Sequence, residues 1–258
     1  MSAVYETLTL AIESHVATLT LSRPDSRNAL SARMCHELVS VLAALAGDER
    51  ARVVVIRGAG PVFCAGADLK ERQAMTDQDM TARRVAGFAA YAAIEQLPQP
   101  AIAVVHGAAF GSGCEIAAAC DFILAAQGTQ FCYPEVGWGT IGATQRLPRA
   151  VGRRMAKELL YTGRKFDAQE ACDIGLVNHV YPAAELDAHA ATMAARIAQA
   201  TPLTVRLTKQ CVDQGLATTR EGAMAIELLA INENLRGTDW KGALAGFGAA
   251  QPGVADAG

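Results

Sequence analysis

An α/β fold built around a parallel sheet is predicted by three features of the 258-residue chain. A strand–loop–helix unit recurs from the N-terminus to about Arg149, and such alternation is the pattern of parallel sheets. Two of the strand segments, "RVVVIRG" and "AIAVVHG", are short and continuously apolar, the type buried on both faces. Beyond Arg149 the pattern is nearly all helical.

The elements follow in order. "YETLTLAI" and "HVATLTLS" alternate apolar and polar residues and read as a hairpin turning at Glu13-Ser14. Ser31 is placed to cap a helix whose Met34, Leu38, Val41 and Leu45 share one face, with Gly47 as its stop. "RVVVIRG" is the next strand, and "PVFCAGADL" carries it into a loop. "KERQAMTDQDMTARR" reads as a charged, mobile connection. A second helix runs to about Leu97, where Pro98 and Pro100 end it. "AIAVVHG" is a strand, Gly107 to Gly113 a small-residue loop, and "CEIAAAC" opens a helix. "DFILAA" and "TQFCY" are further strands. Asp167 and Glu170 form a capping box before a short helix that Gly175 ends. No linker divides the chain; a core over 1–195 and a helical region over 196–258 are expected.

Composition excludes several classes. Half of the chain is hydrophobic (51%) and 19% is charged, as in ordinary globular proteins. A net charge of −3 disfavours a general nucleic-acid or anionic-membrane binder. No apolar run approaches the ~20 residues of a membrane span. "MSAVYETLTL" has no basic region followed by an apolar one, so a cytoplasmic protein without a removed leader is expected. The seven cysteines form no CxxC pair and read as buried thiols, and the five histidines form no HxxxH pair; no metal is expected.

"VVHGAAFGSGCEIAAACDFILAA" is almost wholly apolar yet holds Glu115, with Asp121 closing the alanine run. Carboxylates are rarely buried without a partner, so Glu115 asks for a role, whereas Asp121 reads as structural, tying down neighbouring backbone. Gly58 to Asp68 and Gly107 to Cys114 both follow buried strands. Both present small residues whose amides a ligand can approach, the second at a helix N-terminus. Two such amides converging on one oxygen make an oxyanion hole. "GSGCEI" is an incomplete GxGxxG, with Ile116 in place of the third glycine and Glu115 facing any pyrophosphate, which disfavours a dinucleotide site.

"FCAGADLKE", "GAAFGSGCEIAAACD", "FCYPEVGWGTIGATQRLPRAVG" and "LYTGRKFDAQEACDIGLVN", in this order, resemble the signature segments of the enoyl-CoA hydratase/isomerase (crotonase) superfamily, from about Arg23 to Phe247. The resemblance implies a spiral of ββα units with a C-terminal helical trimerisation region, forming trimers or dimers of trimers. It implies an acyl-coenzyme A thioester as ligand and no permanently bound cofactor. It maps the oxyanion donors onto the backbone N–H groups of Ala67 and Ser112, many members having glycine at the second place. It maps the catalytic pair onto Glu115, which activates water, and Glu135, which donates the α-proton. Coenzyme A contacts map onto Arg27, Ala65, Ala67, Asp68 and Lys70.

Two retained glutamates favour reversible hydration of a 2-enoyl-CoA, since family isomerases usually keep only the acid at the Glu135 position. An isomerase, decarboxylase, hydrolase or non-catalytic acyl-CoA binder are the alternatives. Two departures stand out. "TIGATQRL", Thr140 to Leu147, is about three residues shorter than the family loop "TIPGAGGTQRL". The C-terminus also has no lysine after Phe247, where members often carry one toward a neighbouring subunit's coenzyme A; Lys241 is the available substitute.

Overall fold

A computed structural model of the chain describes residues 5–245. The N-terminal hairpin pairs β1 (Leu8–Glu13) with β2 (Val16–Leu21). Its turn is Ser14-His15, one residue later than expected. Both residues take positive φ, 48° and 67°, as a two-residue hairpin turn that matches strand twist requires. Helix α1 (Ala32–Ala46) starts where Ser31 accepts a hydrogen bond from the Met34 amide and ends at Gly47. Met34, Leu38, Val41 and Leu45 are all buried.

Strand β3 (Val53–Gly58) is followed by α2 (Leu69–Gln73) and α3 (Asp77–Glu95). The charged segment expected to be a mobile connection is therefore helical. Thr76 and Asp79 complete a reciprocal capping box at the start of α3, and the Glu71 carboxylate accepts the Ala32 amide, tying α2 to α1. Next come β4 (Ala101–Val105), β5 (Ala108–Phe110), α4 (Ser112–Ala118), β6 (Phe122–Ala126) and β7 (Gln130–Cys132). Asp121 accepts the Ala101 amide at 2.6 Å, which makes it the structural carboxylate expected.

The part beyond Arg149 is less purely helical than its pattern implied. Helices α5 (Arg146–Val151) and α6 (Arg153–Thr162) lead to β8 (Lys165–Asp167), and α7 (Ala168–Asp173) leads to β9 (His179–Tyr181). Three-residue strands are too short to show a period of two. Asp167 caps α7 through the Glu170 amide as expected, but the Glu170 carboxylate is turned to Arg164, so the box is not reciprocal. Helix α8 (Leu186–Gln199) follows.

Among the described residues one sheet runs β1-β2-β3-β4-β6-β9, parallel except for the β1–β2 pair, and a second runs β5-β7-β8. Consecutive strands of a unit divide between the two sheets: β4 and β6 enter the large sheet, and β5 and β7 enter the small one. The large sheet is covered on both faces, as its apolar strands require. Val53, Val55, Ile102, Val104 and Leu124 pack with Leu186, Ala190 and Ala194 of α8. Val54, Ile56, Ala103 and Val105 belong to the main core with α1, α3 and α4.

The chain forms two compact units, Met1–Gln199 and Ala200–Gly258. In the second, α9 (Pro202–Gly215) and α10 (Arg220–Gly237) pack together, and α11 (Trp240–Ala245) follows. Lys241 lies on α11, its Nζ 5.6 Å from the Trp240 ring centroid; Phe247 and the residues after it lie outside the described residues. Cys35, Cys64, Cys114, Cys120 and Cys132 are buried and unbridged. Among the described residues no helix is long and apolar enough to cross a membrane.

Candidate active site

Two strand-to-loop segments are brought edge to edge. Cys64 bridges Ala109 in parallel, its amide donating to the Ala108 carbonyl and its carbonyl accepting the Phe110 amide at 3.0 Å. Gly113 faces the same segment so closely that a Cβ there would lie 2.3 Å from the Cys64 carbonyl oxygen. Only glycine allows that approach. Leu30 bridges Ala67 on the other side, through Leu30 N–H to Gly66 and Asp68 N–H to Leu30. The Ala67 and Ser112 amides therefore lie on adjoining segments. Neither donates to a backbone carbonyl among the described residues. Ser112 opens α4 after Gly111, which supplies no side-chain cap, so its N–H is one of the orphan donors of a helix start. Ser112 lines the same cleft as the buried Tyr91 of α3.

Glu115 and Glu135 line one cleft, with Ser112, Tyr91, Gly142 and Ala143. Glu115 sits in the first turn of α4 and is 6% exposed. Its Oε2 accepts a hydrogen bond from Arg146 Nη1 at 3.1 Å, while Oε1 is buried with no hydrogen-bond partner. Arg146 is held in turn by Glu95, at 2.8 and 2.7 Å, and over the Tyr91 ring at 5.2 Å. Glu135 precedes a 3₁₀ turn and sends its side chain between Gly111 and Gly142. A methyl group on either glycine would lie 2.8 Å from a Glu135 side-chain atom. Its Oε2 is likewise buried without a partner. Buried polar atoms are normally satisfied; two carboxyl oxygens left open in one cleft are groups aimed at something other than the fold.

Burial pushes both carboxyls above the usual glutamate range. At Glu115 the Arg146 cation opposes that shift by direct contact. At Glu135 its own backbone amide and the more distant Arg84 and Arg72 cations oppose it, and no cation lies in salt-bridge range among the described residues. The Thr140–Leu147 loop places Gly142 against Glu135, and Ala143 takes φ +56° to make the turn.

The residues mapped to coenzyme A gather on contiguous backbone. The Ala65 amide donates to the Arg27 carbonyl at 3.0 Å. Arg27 adopts a left-handed conformation and is exposed, as is Lys70 in the first turn of α2. Asp68 caps α2 through the Lys70 and Glu71 amides and pairs with Arg23 at 2.9 Å. Its carboxylate thereby shapes the loop. Sequence reasoning gave Arg23, Tyr91 and Arg146 no role, although Arg146 lies in a signature segment; the partner of each lies far along the chain.

The model of the family described as "Enoyl-CoA hydratase/isomerase" matches residues 11–248. The chain is 39% identical to the crotonyl-CoA hydratase of Syntrophomonas wolfei, over 86% of this chain and 87% of that one. It is 37% identical to the short-chain-enoyl-CoA hydratase of Clostridium acetobutylicum, over 91% and 92%. The crystal structure of an enoyl-CoA hydratase from Bacillus anthracis superposes with a TM-score of 0.92 at 35% identity, covering 95% of this chain and 96% of that one.

Proposed function

The chain belongs to the enoyl-CoA hydratase/isomerase family, and on that premise we propose that it is an enoyl-CoA hydratase, a hydro-lyase adding water reversibly and syn across the double bond of a 2-enoyl-CoA. The observation that carries this reading is the pair of glutamates, Glu115 buried and Glu135 half-buried, each with an unpartnered buried oxygen, in one cleft that Ser112 also lines. Shuttling one proton in an isomerisation needs a single acid. Adding water needs two groups, because water loses a proton at the β-carbon while the α-carbon gains one.

Glu115 accepts the proton of water as its oxygen bonds to the β-carbon. The alkene electrons shift to the thioester oxygen as an enolate, held by the Ala67 and Ser112 N–H groups. Glu135 then delivers its proton to the α-carbon, leaving a 3-hydroxyacyl-CoA. Arg146 supports this division of labour: the carboxyl it touches is the one that must be ionised. The product leaves the pair with its proton moved from Glu135 to Glu115, and exchange with solvent resets it.

No permanently bound cofactor takes part; the acyl group arrives as a coenzyme A thioester. Arg27 and Lys70 attract its phosphates, and the Ala65 and Ala67 carbonyls accept the adenine amino group. The protein works in the cytoplasm, in fatty-acid breakdown by β-oxidation, as a trimer or dimer of trimers. Met224, Leu228, Leu229 and Leu235 of α10 are exposed apolar residues that support self-association. Mixing the protein with crotonyl-CoA tests the reading: the enoyl-thioester absorbance disappears as 3-hydroxybutyryl-CoA forms. An unchanged spectrum at high protein concentration, with crotonyl-CoA and with other 2-enoyl-CoA esters alike, rejects it.

A further inference from the structure

The cleft holding the two glutamates is also lined by Arg72 of α2 and by Arg83 and Arg84 of α3. The hydration step gives none of these three a part. Arg83 is 4% exposed and is held by the Leu30 carbonyl, with its Nε 3.5 Å from Glu71. Arg84 donates to the Thr140 hydroxyl and, at 2.8 Å, to the Ile141 carbonyl. Arg72 has its Nε buried with no hydrogen-bond partner. Among the described residues no carboxylate lies in salt-bridge range of Arg72 or Arg84. Burial and the neighbouring Arg84 and Arg83 charges push the Arg72 guanidinium below its usual range, and Tyr91 and Glu135 offset this only in part. Gathering like charges in a half-buried wall is unfavourable unless an anion completes it.

The coenzyme A phosphates are the wrong anion. They stand at the far end of the pantetheine arm from the thioester, whereas these arginines share a cleft with the groups that act on the acyl double bond. The anion in reach is one carried by the acyl chain itself. A guanidinium presents paired donors that match a carboxylate.

We propose that the preferred substrate is a 2-enoyl-CoA whose acyl chain bears a second, free carboxylate, received by Arg72 and Arg84. This rests on the hydratase reading and narrows it to a substrate class.

Hydration of glutaconyl-CoA, a 2-enoyl thioester ending in a carboxylate, is compared with that of its neutral terminal amide and of crotonyl-CoA. The wild-type kcat/KM is expected to favour the carboxylate over the amide at least about tenfold, the scale of one charge-assisted contact. Arg72→Gln and Arg84→Gln bring that ratio toward one, and Arg72→Lys keeps part of it. Both esters use the same glutamates, so the ratio is blind to any effect of the arginines on Glu135. Competition gives a second readout without variants: saturated glutaryl-CoA inhibits crotonyl-CoA hydration at lower concentration than its terminal amide. A wild-type ratio near one, or equal inhibition, with crotonyl-CoA still hydrated, overturns the carboxylate preference and leaves the hydratase reading standing. Hydration of none of the three esters overturns both.

Discussion

Arg146 divides two otherwise similar carboxyls. Glu115 and Glu135 are both raised by burial, yet only Glu115 touches a guanidinium. Removing that charge disfavours ionised Glu115, so its pKa rises further. The acid limb of the kcat/KM–pH profile, which reports the base of the free enzyme, is therefore expected to move to higher pH in Arg146→Gln and to return in Arg146→Lys. An unmoved limb disconnects Arg146 from the base. Glu135 makes a second prediction, on stability. Its folded pKa lies above the unfolded one, so its contribution is fully present below the unfolded pKa and is lost as pH rises through the folded pKa. Glu135→Gln is expected to melt above the wild type near pH 8, with the gap closing as pH falls below that folded pKa. A variant that melts lower throughout contradicts the burial penalty. Glu115 and Glu135 were legible in the sequence because each sits in a recognisable segment. Arg146 lies in the same segment as Glu135, but its role was not legible, because an arginine before "LPRAVG" has the same appearance whether it faces solvent or a buried acid.

At the scale of elements, the site depends on two loops held edge to edge by backbone contacts. Gly113 is a tight point of that seam: a Cβ there would lie 2.3 Å from the Cys64 oxygen. Gly113→Ala forces the Cys64 and Gly111–Gly113 segments apart, moving the Ser112 amide relative to that of Ala67, the two proposed oxyanion donors. Turnover is expected to fall at least about tenfold, because misplacement by an ångström costs that much or more, and stability to fall by about 1–3 kcal/mol from overpacking. A variant with wild-type turnover shows that the two amides need no such register. The long elements were legible: α1, the second half of α3, β3 and β4 carry periodic or continuous apolar runs, with α1 bounded by Ser31 and Gly47 and α3 ending at Glu95, shortly before Pro98. The strands β5, β8 and β9 were not, because three residues carry no period and only the register of the sheets defines them. The helix α2 and the start of α3 were obscured by charge, which speaks for solvent on one face and says nothing of the Thr76–Asp79 box or the Glu71 contact that order them.

For the whole molecule, alternation of apolar strands with helices announced a parallel sheet, while the division of strand pairs between two sheets was available only through resemblance to a family. Assembly belongs to this scale. Exposed Met224, Leu228, Leu229 and Leu235 on α10 form apolar surface of a kind that monomers seldom leave open. Light scattering is expected to give a mass near three or six times the 27.0 kDa chain; a monomeric mass at micromolar concentration contradicts the assembled form. All of these scales meet in the cleft, where chemistry is asked of two side chains. The most direct measurement is steady-state hydration of crotonyl-CoA by Glu115→Gln and Glu135→Gln, each confirmed as folded. Each is expected to turn over at least ~100-fold more slowly than the wild type, the scale of losing a positioned acid or base; wild-type turnover by either variant contradicts the two-carboxyl mechanism.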